Sequence, residues 1–151
     1  MIYLYNYAGQ PWKAQYWPRE VMDRMYTPYA DGYCGDEDNG QTSAWYVFSA
    51  MGFYPVAPAT DEYVIGAPLF RKITVSLENG KTIEISAPGN NRANRYVQSV
   101  IYNGVQHDKN YFNFSELMKG AKINFEMGEV PNKNRGTDEA AYPYSFSNEY
   151  K

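Results

Sequence analysis

The sequence predicts an α+β fold in which helices precede strands. Apolar residues recur at helical spacing up to about residue 56, and from residue 57 they alternate with polar residues in short runs bounded by Gly, Pro and Asn. Two Asn-Gly pairs, at 79–80 and 103–104, are typical of tight turns between antiparallel strands. We therefore predict a helical segment over 1–56, an antiparallel β region over 57–130 and an irregular tail over 131–151.

Two helices are predicted in the first segment. Pro11 suits a first helical turn, and the helix that it opens should extend to about residue 26, with a kink or a restart at Pro18. Gly52 is well placed as the residue just beyond the end of a second helix. That helix, over 40–51, is predicted by apolar residues that share one face: Ala44, Val47, Phe48 and Met51.

The β region has a clear order of elements. The segment FSELMKG, residues 114–120, predicts a single helical turn. Alternation within several segments predicts strands with one buried face and one exposed face. These segments are EYVIG (62–66), LFRKITVSL (69–77), KTIEISA (81–87), YVQSVIY (96–102) and AKINFEMG (121–128).

Composition excludes several functional classes. The 14 basic and 17 acidic residues are scattered, so we expect no nucleic-acid partner. No apolar run approaches the roughly 20 residues that span a bilayer, so we expect no membrane partner. A single cysteine, Cys34, excludes an internal disulfide, and the single histidine, His107, lacks partners for a zinc site, so we assign no metal ligand in this chain. The high aromatic content, 17%, suits stacking on sugars but also suits strands.

A run of three acids precedes the second helix in CGDEDNGQTSAWYVF, residues 34–48. An EF-hand loop counted from Asp36 fails, because the fifth and sixth positions are Gly40 and Gln41. Asp38 could instead cap the helix, with Gln41 reaching back to the cap. A carboxylate at a helix N-terminus also stays ionised and could act as a general base. Calcium binding by residues 36–38 alone is a further possibility.

Three segments carry a family resemblance. YLYNYAGQPWK (3–13), GDEDNGQTSAWYVFSAMGFYPV (35–56) and DEYVIGAPLF (61–70) closely resemble the C-terminal part of the bacterial calcium-dependent exo-α-mannosidases of glycoside hydrolase family 92. The resemblance extends to PNKNRG at 131–136. It implies that the helices are the end of an (α/α)6 barrel, followed by an antiparallel β-layer or sandwich. Because members of the family run to several hundred residues, we expect this chain to match only their last part, and Pro18 departs from the continuous helix expected in relatives.

The resemblance also implies an activity. It is the inverting hydrolysis of terminal α-linked mannose from glycans, with Asp38 as the catalytic base and Asp36 as its partner. The family's general acid, a glutamate, and its calcium ligands are expected upstream of this chain. We therefore expect the chain alone to be inactive and its parent enzyme to be calcium-dependent and exported, to the periplasm or the extracellular space.

Aromatic side chains supply the remaining candidates. Trp12 and Trp45 could stack on a sugar ring. An exposed aromatic face of the helices is expected to bind the rest of the parent enzyme or a second copy of the chain. Its candidates are Tyr3, Tyr5, Trp12, Trp17, Trp45 and Tyr46. The competing interpretation is a non-catalytic carbohydrate-binding or structural β-module, which predicts that Asp36 and Asp38 are bonded to backbone amides at the start of the helix.

Overall fold

The helices come first along the chain, as predicted. In the computed structural model, which describes residues 1–149, a 3₁₀ turn at Ile2–Asn6 precedes α1 (Pro11–Met25) and, after a loop, α2 (Gln41–Met51). Gly52 has a φ of 100°, and its amide donates to carbonyls of the last turn of α2. A left-handed residue without a Cβ ends a helix at low cost, so the prediction for Gly52 is confirmed.

The prediction of a restart at Pro18 is wrong, because α1 passes through this residue without a break. Proline lacks the amide hydrogen that would bond to the carbonyl of Ala14. Both residues are buried, and the Ala14 carbonyl oxygen would lie 3.4 Å from a Cβ built on Gly66. The carbonyl of Ala14, which receives no hydrogen bond from Pro18, packs closely against Gly66. Tertiary packing of α1 therefore outweighs the tendency of proline to break a helix.

Eight strands form two sheets within residues 1–149, and α3 (Phe114–Leu117) is the predicted single helical turn. The three-stranded sheet has the order β1-β2-β7, and the five-stranded sheet has the order β3-β4-β8-β5-β6. The strands are β1 (Phe53–Tyr54), β2 (Glu62–Ile65), β3 (Lys72–Ser76), β4 (Thr82–Ser86), β5 (Tyr96–Tyr102), β6 (Val105–Gln106), β7 (Tyr111–Asn113) and β8 (Ala121–Gly128).

The two Asn-Gly turns join antiparallel strands, as predicted. The first lies between β3 and β4, and the second lies between β5 and β6, where Asn103 and Gly104 both have positive φ. The prediction of a wholly antiparallel β region is wrong at one pair, because β4 and β8 are parallel. Alternation reveals which face of a strand is buried but not the direction of its neighbour, and the long segment between β4 and β8 permits a crossover.

The two sheets share one hydrophobic core, which also holds α2. Phe112 of the small sheet and Phe125 of the large sheet meet edge to face, with ring centroids 6.3 Å apart. Phe48 and Met51, in the last turns of α2, pack against the same core. The C-terminal end of α2 is therefore fixed to the β region, and its N-terminal end carries the acidic run.

A polar seam, defined here as Arg19, Glu20, Asn90 and Arg95, joins α1 to the β region. The buried Arg19 donates through Nη1 to Asn90 Oδ1 at 2.9 Å and to the Pro68 carbonyl at 2.8 Å. Glu20 forms an ion pair with Arg95. These contacts lock the helical segment to the loop that follows β4.

Within residues 131–149 the tail has no sheet strand, and it contains two 3₁₀ turns, Glu139–Ala141 and Phe146–Asn148. It nevertheless packs closely, because the buried Arg135 donates to the carbonyls of His107 and Lys109, each at 3.0 Å. Residues 150–151 of the predicted tail lie outside the described residues. The division into three domains stays a prediction.

Candidate active-site loop

The acidic run lies in the loop between α1 and α2, and its three carboxylates have different surroundings. Asp36 and Asp38 are exposed, whereas Glu37 between them is half-buried and its Oε2 is shielded from solvent. Neither Asp36 nor Asp38 uses its carboxylate for a hydrogen bond or an ion pair with another residue of 1–149. Both carboxylates are thus free to accept a proton or a hydrogen bond from water.

The backbone makes a left-handed turn at the end of the run. Asp38, Asn39 and Gly40 have φ values of 53°, 57° and 96°. For the first two, this conformation costs on the order of 1 kcal/mol each, and such strain persists only where surrounding contacts maintain it. The loop is therefore not extended at Asp38.

The capping prediction for Asp38 is wrong. Gly40 is the N-cap residue of α2, and Gln41 donates its side-chain amide to Tyr54 Oη at 2.9 Å instead of reaching back. Within residues 1–149, the Asp38 carboxylate accepts no hydrogen bond from an amide of the first turn of α2, so Asp38 does not cap the helix. Glu37 is the acid that serves the helix start, because its Oε1 accepts from the Ser43 amide at 3.4 Å.

An aromatic cluster lies beside the loop. Tyr26, just after α1, stacks on Trp45 with ring centroids 5.8 Å apart, and it also contacts Tyr33 and Tyr46. An open groove of about 410 Å³ is lined by Tyr26, Tyr33 and Tyr46 together with Ser43 and other residues. The groove is wide enough for a small ligand and has the amphipathic rings that sugars contact.

The hydroxyl of Tyr26 lies close to the acidic loop. Burial, followed by the nearby Cys34 and Glu37, raises the pKa of Tyr26 to about 12. The hydroxyl therefore stays protonated at neutral pH and donates to the Thr42 carbonyl at 3.1 Å. This bond joins the end of α1 to the first turn of α2.

The two tryptophans named from the sequence lie far apart. Trp45 is half-buried, and Tyr26 covers one face of its ring. Trp12, at the start of α1, lies beside Lys133 of the tail, with Nζ 6.0 Å from the ring centroid. Trp12 lies at the start of α1, whereas Trp45 stacks on Tyr26, which follows the other end of this helix. Since α1 has 15 residues, its ends are roughly 22 Å apart, and the two rings do not form one binding surface.

Within 1–149, no group of three or more His, Cys, Asp or Glu side chains is placed to hold a metal ion. No helix in this part of the chain is both long and apolar enough to cross a membrane.

Comparison with known proteins identifies the family. Residues 1–129 match the profile of the glycosyl hydrolase family 92 catalytic domain. The chain belongs to glycosyl hydrolase family 92. Among curated proteins, a protein of Arthroderma benhamiae described as an uncharacterized secreted glycosidase is 24% identical over 130 residues, which are 84% of this chain and 17% of that protein.

Solved structures of the same family share this fold. An inverting mannosidase of family GH92 from Bacteroides thetaiotaomicron is 54% identical, with a TM-score of 0.91 over 97% of this chain. A GH92 α-mannosidase from the same species is 43% identical, with a TM-score of 0.92 over 96% of this chain, and has also been solved with mannoimidazole. This chain spans about a fifth of the length of either protein.

Sequence reasoning did not identify the residues that fasten the loop. Thr42 donates its hydroxyl to the Asp36 carbonyl at 2.8 Å, and Tyr33 Oη lies 2.6 Å from Ser43 Oγ. The available signal was the Thr-Ser pair in the first turn of the predicted helix, where side-chain hydroxyls often bond to nearby backbone. An acid run next to such a pair offers too many capping arrangements to choose between by sequence.

Proposed function

We propose that this chain supplies the catalytic base of an inverting exo-α-mannosidase that removes terminal α-linked mannose from glycans. Asp38 accepts a proton from the attacking water, and Asp36 helps to orient that water. The observation that carries this proposal is the freedom of both carboxylates, which are exposed, are unused by the helix start and belong to the same loop as Tyr33, a residue that lines the aromatic groove. The identity of 54% to a GH92 inverting mannosidase supports the choice of reaction.

The chemistry requires two carboxyl groups on opposite faces of the sugar. In inverting glycosidases the base and the general acid are roughly 6.5–9.5 Å apart, which leaves room for the water. The acid protonates the leaving oxygen, and we propose that it comes from a part of the enzyme that this chain does not contain. The 151-residue chain alone is then inactive, because deprotonated water meets an unprotonated leaving group.

We further propose that the parent enzyme depends on calcium and is exported. On this proposal the calcium ligands lie outside this chain, and the lack of a group of three or more His, Cys, Asp or Glu side chains placed to hold a metal within residues 1–149 is consistent with it. The description of the Arthroderma benhamiae relative as secreted supports export. Calcium dependence is measured by adding chelator to the active enzyme, and unchanged turnover would contradict it.

The partner of the helical surface is proposed to be the rest of the catalytic barrel. Trp17 and Val47 are 43% and 55% exposed, which leaves apolar surface for other helices. Tyr3 does not belong to this surface, because it is buried and donates to Ser49 Oγ at 2.9 Å. A second copy could cover the same face. Sedimentation of the chain over a wide concentration range would then show a dimer, and a monomer at all concentrations would exclude it.

The alternative, a non-catalytic carbohydrate-binding or structural β-module, predicted that Asp36 and Asp38 would bond to helix amides. They do not, which counts against this alternative, whereas the aromatic groove suits sugar binding under either interpretation.

The test is a chimera in which this chain replaces the matching segment of the 54%-identical mannosidase. Asp38→Asn removes proton affinity while preserving shape, so we expect the chimera's kcat on an α-linked mannobiose to fall about 100-fold or more. Proton NMR of the first product should show β-mannose, the inverted anomer. The chain alone should give no mannose above the enzyme-free rate.

Asp31→Asn is the matched control, because Asp31 is also an exposed aspartate of the loop between α1 and α2. It should leave kcat within about twofold, since Asp31 takes no part in the proton transfer to the base or in that from the general acid. Activity of Asp38→Asn within about tenfold of the parent chimera would contradict the assignment of the base.

A further inference from the structure

Three successive points of the acidic loop are fastened to two adjacent residues of α2. Tyr33, midway along the loop between α1 and α2, has its Oη 2.6 Å from Ser43 Oγ. The Thr42 hydroxyl donates to the Asp36 carbonyl at 2.8 Å. Glu37 is held twice, because its carbonyl accepts from the Thr42 amide at 3.1 Å and its Oε1 accepts from the Ser43 amide. The first turn of α2 thus acts as the support of the loop.

The Thr42 bond is distinctive because it acts on the backbone of a proposed catalytic residue. Within residues 1–149, it is the only side-chain hydrogen bond made to the Asp36 backbone. On the other side of Glu37, the backbone amide of Gln41 donates to the Asp38 carbonyl at 3.2 Å. The backbones of both aspartates are therefore held from the start of α2, one on each side of the inward-facing Glu37.

These hydrogen bonds to the backbone restrict the positions of the exposed carboxylates of Asp36 and Asp38. Asp38 is in a left-handed conformation, which persists only if contacts on both sides maintain it. If the bond to Asp36 is lost, the segment 34–37 can separate from α2 and change the direction of both side chains. A displacement of about 1 Å in catalytic geometry is enough to lower a rate roughly 100-fold.

We propose that Thr42 is a positioning residue for the catalytic base, and that its hydroxyl holds the loop in the conformation in which Asp36 and Asp38 share one water. This inference rests on the proposed function of Asp38. Thr42 acts through the loop backbone and does not itself contact the sugar.

The experiment compares Thr42→Val with Thr42→Ser in the same chimera. Valine has nearly the shape of threonine but no hydroxyl, whereas serine keeps the hydroxyl and loses the methyl group. Thr60→Val is the matched control, because the Thr60 hydroxyl makes an equivalent bond to the Ala57 carbonyl at 2.9 Å in a different loop. Melting temperatures of all variants are measured beside the kinetics.

We expect Thr42→Val to lower kcat about tenfold or more and to leave KM within about threefold, because the chemical step requires the aligned base and sugar binding does not. Thr42→Ser should keep kcat within about threefold of the parent chimera. Thr60→Val should keep the parental kcat even if its melting temperature falls as far as that of Thr42→Val. A purely structural role would not separate the kcat values of Thr42→Val and Thr60→Val when their melting temperatures fall equally.

Failure of this inference can be distinguished from failure of the proposed function. If Asp38→Asn abolishes activity while Thr42→Val keeps kcat within about threefold, Thr42 does not position the base and the base assignment stands. If Asp38→Asn stays active, the proposed function itself is overturned.

A second measurement uses the 151-residue chain and needs no activity. Hydrogen exchange should become at least about threefold faster at the amides of Gln41 and Thr42 in Thr42→Val, because both amides bond to the loop that the hydroxyl fastens. Exchange in Thr42→Ser should match that of the unchanged chain. Equal exchange in all three proteins would overturn the positioning role, whether or not the chimera is active.

Discussion

The β region and the helical segment differ in how completely they bury their apolar residues. Along β8, every second residue from Ala121 to Met127 is buried, and both sheets contribute to one core. The helical segment instead leaves Trp17, Met25 and Val47 between 43% and 55% exposed. The β region therefore contributes most of the hydrophobic core. The stability of the helical segment depends on its contacts with that core and on any surface that packs against its exposed apolar residues.

The largest expected effect is on the β core. Phe125→Ala removes a ring that is 1% exposed in the central strand β8, and we expect the free energy of unfolding to fall by about 3–5 kcal/mol. Urea denaturation measures the loss. Val47→Ala on α2 should change the free energy by no more than about 0.5 kcal/mol, since most of the Val47 side chain is already in water. A loss of about 2 kcal/mol for Val47→Ala would show that the outer helical face is already covered.

An intermediate effect is expected at the polar seam. Asn90→Ala removes the acceptor of the buried Arg19 Nη1 and the donor to the Leu69 carbonyl, and we expect a loss of about 2 kcal/mol. A double-mutant cycle with Arg19→Met should give a coupling energy of about 1 kcal/mol or more. The matched control is Asn94→Ala in the same loop, whose side chain donates to Gly89 near the surface. Equal losses for the two asparagines would show that the seam does not join the regions.

The smallest effect depends on pH. A hydrogen bond from Arg95, more than the nearby Arg24, lowers the pKa of Glu20 below its ordinary value of 4.5. Because the fold favours the ionised form, the contribution of Glu20 to stability is present above about pH 4.5 and is lost as the pH falls through the lower folded pKa. Glu20→Gln should therefore cost up to about 1 kcal/mol at pH 7 and less at pH 3.

Thermal unfolding of Glu20→Gln and the unchanged chain at both pH values tests this prediction. Glu116→Gln is the control, because it removes an exposed ion pair between Glu116 of α3 and Lys119, which follows this helix. A difference for Glu20→Gln that stays constant between pH 3 and pH 7 would contradict the ion-pair explanation.

The same contrast explains which structural predictions from the sequence were confirmed. Helix α2 and the turns at 79–80 and 103–104 depend on neighbours within a few residues, so periodicity and Asn-Gly pairs identified them. The parallel pairing of β4 with β8 depends on residues about 38 positions apart, such as Ile85 and Ile123, and leaves no local mark. Long-range packing likewise decides that α1 continues through Pro18.

The candidate site was predictable in part. The acid run and its place before α2 could be located from the sequence, and the family followed from the residues around it. The capping pattern alone could not decide which of three carboxylates serves the helix, because Asp36, Glu37 and Asp38 are all good acceptors. In the structure Glu37 is the anchored acid, and the left-handed turn at 38–40 follows it; among residues other than glycine, Asp and Asn adopt this conformation most readily.

Helix α2 is a rigid rod with two very different ends. Its eleven residues span roughly 16 Å. Phe48 and Met51 near its C-terminal end pack against the core of the sheets, and the acidic run precedes its N-terminal end. Because a short helix moves as one body, a change of packing at the C-terminal end of α2 also shifts its N-terminal end. A larger or smaller side chain in the core next to Phe48 would therefore move the carboxylates of Asp36 and Asp38 without any substitution in the loop.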